Sequence, residues 1–102
     1  MMKLIKFEQD NCTPCKMLAN FLHHELDVDV DETVNISNGT ITSSNTGVVE
    51  KDESKTMELA GEFGIMKTPT LILLDEEGNE VDRFSGVGQT GVKAILAKRG
   101  LI

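Results

Sequence analysis

Leu4-Ile5-Lys6-Phe7-Glu8-Gln9-Asp10-Asn11-Cys12-Thr13-Pro14-Cys15-Lys16-Met17-Leu18 carries a short apolar run through the only two cysteines of the chain into a helical pattern. Leu4 to Phe7 reads as a strand, and Met17, Leu18, Phe21, Leu22 and Leu26 recur at helical spacing. Two residues between the cysteines place both sulfurs on one face of a helical turn, where Cβ atoms lie about 5–6 Å apart. Closing a disulfide needs that spacing to tighten to about 3.5–4.5 Å. Cys12 falls at or just before the helix N-terminus, with Pro14 in the first turn, where its missing N–H costs nothing. Free N–H groups and the positive end of the helix dipole favour an anion there, so Cys12 should ionise more easily than a free thiol, near pKa 8.5. The thiolate is the attacking species. Cys15, one turn in, is expected to be less exposed and suited to resolving a mixed disulfide.

Outward from that stretch, strand 3–7 leads to a helix at about 13–26, and Val28, Val30, Val34 and Ile36 sketch a second strand near 29–36. Ser37 to Gly47 is rich in polar turn formers, with Asn38-Gly39 a strong tight-turn signal. Residues 38–52 therefore read as a surface insertion with room for a small hairpin around Thr40-Ile41-Thr42. Ser54 is a candidate N-cap for a short helix carrying Met57, Leu59, Ala60 and Phe63, with Gly64 as its stop. Thr70 to Leu74 is a continuous apolar run of the kind found in a fully buried strand, and Asp75 to Asn79 turn it back into Glu80 to Phe84. Gly86 and Gly88 break that strand, and Thr90 to Arg99 forms a last helix ended by Gly100. The expected order is β-α-β-α-β-β-α, a mixed four-stranded sheet with helices on both faces.

The 102 residues suit one domain spanning 1–102, with four Phe, no Trp and no Tyr, so Leu, Ile, Val and Met must build the core. A formal charge of −7 and a pI near 4.7 oppose nucleic-acid binding, which needs a basic footprint. The opening Met1 to Phe7 is too short an apolar stretch for a signal peptide, and nothing later is long enough to span a bilayer. The expected location is the cytoplasm, where a lone cysteine pair is more often catalytic or metal-binding than a structural staple.

With these elements in order, the chain resembles the thioredoxin family. The resemblance rests on the first strand, Cys12-Thr13-Pro14-Cys15-Lys16, the Val34-Asn35-Ile36 strand end, Phe63-Gly64-Ile65-Met66-Lys67-Thr68-Pro69-Thr70, Gly78 and Gly86, all in the family's sequence order. It covers most of the chain apart from roughly residues 38–52. The resemblance implies an α/β thioredoxin-like fold in which Pro69 is cis and lies beside the cysteines, so that Thr68 pairs its backbone with an extended substrate segment. It also implies that Asn11, Thr13, Pro14, Thr68, Pro69 and Gly86 form the substrate surface around catalytic Cys12 and Cys15. No bound cofactor or metal is implied, and a monomer is expected.

Several positions depart from the family pattern. Asn11 stands where thioredoxins usually carry Trp before the first cysteine. Lys6 replaces the buried Asp that helps move protons at the second, and Thr33 aligns with the family's Lys on the neighbouring strand. Two readings of Lys6 stay open: electrostatic tuning of a thiolate, or an ammonium that snorkels to the surface beside Glu8. The chain also begins directly at the strand leading to the cysteines, a compact layout closer to glutaredoxins and small thioredoxin-like proteins. Glutathione-using relatives, however, tend to have Pro-Tyr between the cysteines, a Lys before them and Gly-Gly-x-Asp opening the last helix. Here those positions read Thr13-Pro14, Gln9 and Gly86-Val87-Gly88-Gln89.

A structural zinc needs four ligands, and His24 lies nine residues past Cys15, about 13 Å along a helix, too far to close around the same metal. The reading that results is a protein disulfide reductase acting on disulfide-containing client proteins and recharged by an NADPH-dependent thioredoxin reductase. Ribonucleotide reductase is one recurrent client of such proteins. The rivals are a non-catalytic binding module using the rim near Ile65, Met66, Pro69 and Gly86, and a glutaredoxin-like glutathione-dependent oxidoreductase or an oxidant.

Overall fold

A computed structural model describes all residues 1–102. Strand β1 (Lys3–Glu8) is followed by helix α1 (Thr13–Asn20), which continues as one π-helical turn, Phe21–Glu25. Then come β2 (Glu32–Asn35), β3 (Thr40–Ser43), β4 (Val49–Lys51), α2 (Glu53–Glu62), β5 (Thr70–Leu74), β6 (Glu80–Ser85) and α3 (Gln89–Arg99). The strands form one sheet in the order β4-β3-β2-β1-β5-β6, with β1 and β2 parallel and the other neighbours antiparallel.

The sheet is mixed, as the sequence implies, but has six strands rather than four. The extra pair is β3 and β4, formed by the stretch that reads as an insertion. Its turn-rich composition conceals the pairing because both strands lie at the edge, and Ile41 is the only one of their residues in the core. Asn38-Gly39 does close the turn into β3, with Gly39 at φ 69°. A Cβ at Gly39 would run into Glu53, so glycine lets α2 start against this turn.

Three element boundaries also shift. The helix after the cysteines is α-helical only to Asn20, and Leu26 then donates to Phe21 O, five residues back, widening the last turn. The second strand is confined to 32–35, while Val28 and Val30 pack into the core from the connection before it. Helix α2 is capped not by Ser54 but by Asp52, whose carboxylate accepts the Lys55 N–H at 3.0 Å.

Alternation along the strands builds a core on each side of the sheet. Leu4, Leu71 and Leu73 face Leu18, Phe21, Leu22, Val92, Ile95 and Leu96 from α1, its π turn and α3. Ile5, Phe7, Ile72 and Leu74 face the other way, with Val34 and Ile41, and meet Leu59 of α2 and Phe63 at its C-terminal end. Because β1 and β5 are neighbours buried on both faces, their ends hold the following segments in fixed places. The C-terminal end of β1 and the N-terminal end of β5 lie together, and that is where both sequence motifs emerge.

Candidate active site

The loop 9–11 joins β1 to Cys12, and Asn11 turns it with a left-handed φ of 54°. Cys12 is the N-cap of α1, with extended backbone (φ −114°, ψ 100°), and Pro14 sits in the first turn. The Cys15 N–H donates to Cys12 Sγ at 3.2 Å, so one of the helix's free donors points at the sulfur. Cys12 and Cys15 are joined as a disulfide with Cα atoms 5.2 Å apart. Cys12 is half-buried, whereas Cys15 is 5% exposed, so an incoming group meets Cys12 first.

The second motif closes the other side. Thr68-Pro69 is cis, and Cys12 Sγ lies 3.7 Å from Thr68 O and 3.6 Å from its Oγ1, a distance at which the hydroxyl can donate to sulfur. Gly86, at φ 102°, donates its N–H to Pro69 O at 2.9 Å. Thr70 Oγ1 donates to Lys67 O at 2.7 Å and lies 2.8 Å from Ser85 Oγ, which therefore donates to it. These bonds stitch the segment before β5 to the end of β6. Thr68 itself lies ahead of the β5–β6 ladder, which begins at Thr70.

A family model for the thioredoxin-like domain matches residues 2–98. The chain belongs to the thioredoxin-like family. It is 40% identical over 95 residues to the SPbeta prophage-derived thioredoxin-like protein YosR of Bacillus subtilis, covering 93% of this chain and 95% of that one. Among solved structures, a thioredoxin-fold protein from Helicobacter pylori superposes with a TM-score of 0.68 at 20% identity, covering 97% of this chain and 68% of that one. The thioredoxin of Malassezia sympodialis gives 0.60 at 21%, covering 95% and 73%. A thioredoxin-like domain with a disulfide-forming pair at a helix tip carries the equipment of a thiol–disulfide oxidoreductase, for which disulfide-containing proteins are the fitting partners.

Within this thioredoxin-like frame, Asn11, Thr13 and Pro14 are exposed around Cys12, and Met66 on the Thr68 side is 94% exposed. Lys6 lies on β1, two residues before Glu8 on the same face. Its side chain is 5% exposed and sets its ammonium 3.5 Å from Glu8 Oε1, at the edge of a polar cleft. Thr33 is its cross-strand neighbour on β2. Lys6 lines a polar cleft of about 430 Å³ with His23, Thr33, Thr42 and Ser43, whereas Cys15 lines a second one, of about 420 Å³. Glu8 and Ala19 border both. Sequence reading included Asn35 and Thr70 in the family motifs without giving them a site role, and singled out neither Ser85 nor Asp10. Thr70 and Ser85 are the first pair of the β5–β6 register, a position that locates them once that hairpin is recognised.

Proposed function

We propose that this chain is a protein disulfide reductase of the cytoplasm. The observation that carries the reading is the asymmetry of the pair: a half-buried Cys12 that receives a helix-terminal N–H beside Thr68, and a buried Cys15 behind it. In the reduced protein the Cys12 thiolate attacks one sulfur of a client disulfide. The S–S bond breaks, a mixed disulfide forms on Cys12, and the other client sulfur leaves as a thiolate. Cys15 loses its proton and attacks Cys12 Sγ, releasing the second client thiolate and leaving Cys12–Cys15 oxidised by two electrons. An NADPH-dependent thioredoxin reductase is the partner that returns those electrons, and ribonucleotide reductase is a candidate client. Thr13-Pro14 supports the reducing direction, since the strongly oxidising relatives carry a His between the cysteines.

The test is a trap. Cys15→Ser should accumulate mixed disulfides on Cys12 when mixed with oxidised insulin, while the parent reduces insulin in the presence of dithiothreitol. A Cys12–Cys15 potential near −270 mV agrees with a reductant; one above about −200 mV overturns it.

A further inference from the structure

Nothing apolar holds the loop that delivers Cys12: Gln9, Asp10 and Asn11 are all exposed. Its position is set by hydrogen bonds to the end of β2. The Asn35 amide donates from Nδ2 to Asp10 Oδ1 at 3.0 Å, and the Asp10 backbone N–H donates to Ser37 Oγ at 2.9 Å. Asn35 is 8% exposed, and its Oδ1 accepts the N–H groups of Ser37 (3.0 Å) and Asn38 (3.1 Å). Those two donors fix which way round the amide sits, with oxygen toward the β2–β3 turn and nitrogen toward Asp10. Asp10, Asn11, Asn35 and Cys15 line the same cleft, so the link is part of the wall beside the dithiol.

We propose that Asn35 is a positioning residue for the dithiol, acting through Asp10. The link holds the loop so that Cys12 enters the helix as its N-cap with the Cys15 N–H on its sulfur. It also ties the turn that opens the added β3–β4 hairpin to the reactivity of Cys12. An N-cap sulfur keeps its donor only while the chain enters the helix in the extended direction, and the exposed three-residue loop has just two side-chain anchors to enforce that direction, Asn35 on the Asp10 carboxylate and Ser37 Oγ on the Asp10 N–H. The inference rests on the reading of Cys12 as nucleophile.

The experiment follows alkylation of Cys12 by iodoacetamide against pH, in a Cys15→Ser background so that one thiol reacts. Asn35→Asp is isosteric and keeps the acceptor for Ser37 and Asn38, but sets a carboxylate against Asp10. Asn35→Ala removes the link without adding charge. Both should raise the midpoint of the alkylation profile and slow the reaction at pH 7 about five- to tenfold, the effect of up to one pKa unit on a thiol. Combining Asn35→Asp with Asp10→Asn exchanges donor and acceptor and should restore most of the rate; Glu8 and Lys16, the other charges of the cleft, are unchanged in every variant. Thermal melts establish that each variant is folded. Parent-like profiles in the single variants overturn the proposal, as does an exchange variant that stays slow. A parent Cys12 titrating like a free thiol near 8.5 overturns instead the nucleophile reading on which it rests.

Discussion

Lys6 occupies a place that the geometry of β1 reserves for an apolar side chain. It follows Leu4 by two residues, so it faces the same side of the sheet, beneath α1, and its backbone pairs with Leu71 and Thr33 on either side. Its one charged partner is Glu8, at 3.5 Å. Removing an ammonium from water costs several kcal/mol, and a single partner open to solvent returns only part of it. Lys6→Met keeps the length of the side chain and leaves Glu8 able to reach water. It should therefore leave stability unchanged or raise it by about 1 kcal/mol, read from urea unfolding at pH 7. A clear loss would mean that the ammonium is better satisfied than its geometry indicates. The Lys6–Glu8 pair was legible from strand alternation, because residues two apart share a face. The Asn35–Asp10 bond was not, since a polar contact across 25 residues leaves no periodic trace.

At the scale of elements, the competing caps of α2 make a sharp comparison. Ser54 is a good N-cap residue by type, but Asp52 holds the position, accepting the Lys55 N–H through its side chain and the Thr56 N–H through its backbone. Thr56 Oγ1 donates to the same backbone oxygen at 2.8 Å, so Asp52 gathers three donors at the helix entry. Asp52→Ala should cost about 1 kcal/mol in thermal or urea unfolding, whereas Ser54→Ala, inside the first turn and exposed, should cost close to nothing. Equal costs would return the cap to Ser54. The error has the same origin as the missed strands. β4 runs to Lys51 and α2 begins at Glu53, so helix entry is set by where the hairpin ends rather than by the nearest favourable residue. The strongly apolar elements β1 and β5 and the glycine stop of α3 at Gly100 were legible because burial or backbone handedness demands those residue types. β3 and β4 pair through their backbones with little buried side-chain area, and so leave only a faint hydrophobic signal.

Across the whole molecule the two ends of the sheet do different work. One end carries the dithiol and Thr68-Pro69; the other is closed by a polar junction that the fold requires because β1, the chain before β2, and the end of α3 all meet there. Asp31 is its centre. Its backbone N–H donates to Leu4 O at 3.0 Å, its carboxylate accepts the Leu4 N–H at 2.7 Å, and Arg99 grips the same carboxylate through Nε at 2.7 Å and Nη2 at 2.9 Å. Burial works to raise the Asp31 pKa, but the Arg99 and Leu4 hydrogen bonds, with the charges of Arg99 and Lys3, outweigh it and hold the carboxyl below the usual range. A depressed native pKa means that the unfolded chain binds the proton more tightly. The contribution of the junction is therefore complete above the unfolded value, about 3.9, and is lost as pH falls through the native one. Arg99→Met leaves the carboxylate with the Leu4 N–H and without its counter-charge. It should lower stability at pH 7 by about 1–2 kcal/mol, less than orphaning one partner of a fully buried pair because this pair is only part-buried and Lys3 stays near the carboxylate. Urea unfolding of both proteins from pH 7 to pH 3 separates this effect from general destabilisation. The variant should lose less stability than the parent between pH 4 and pH 3, so that the two curves converge in acid. Parallel curves would assign the acid sensitivity to other carboxylates and leave the Asp31–Arg99 pair a packing contact.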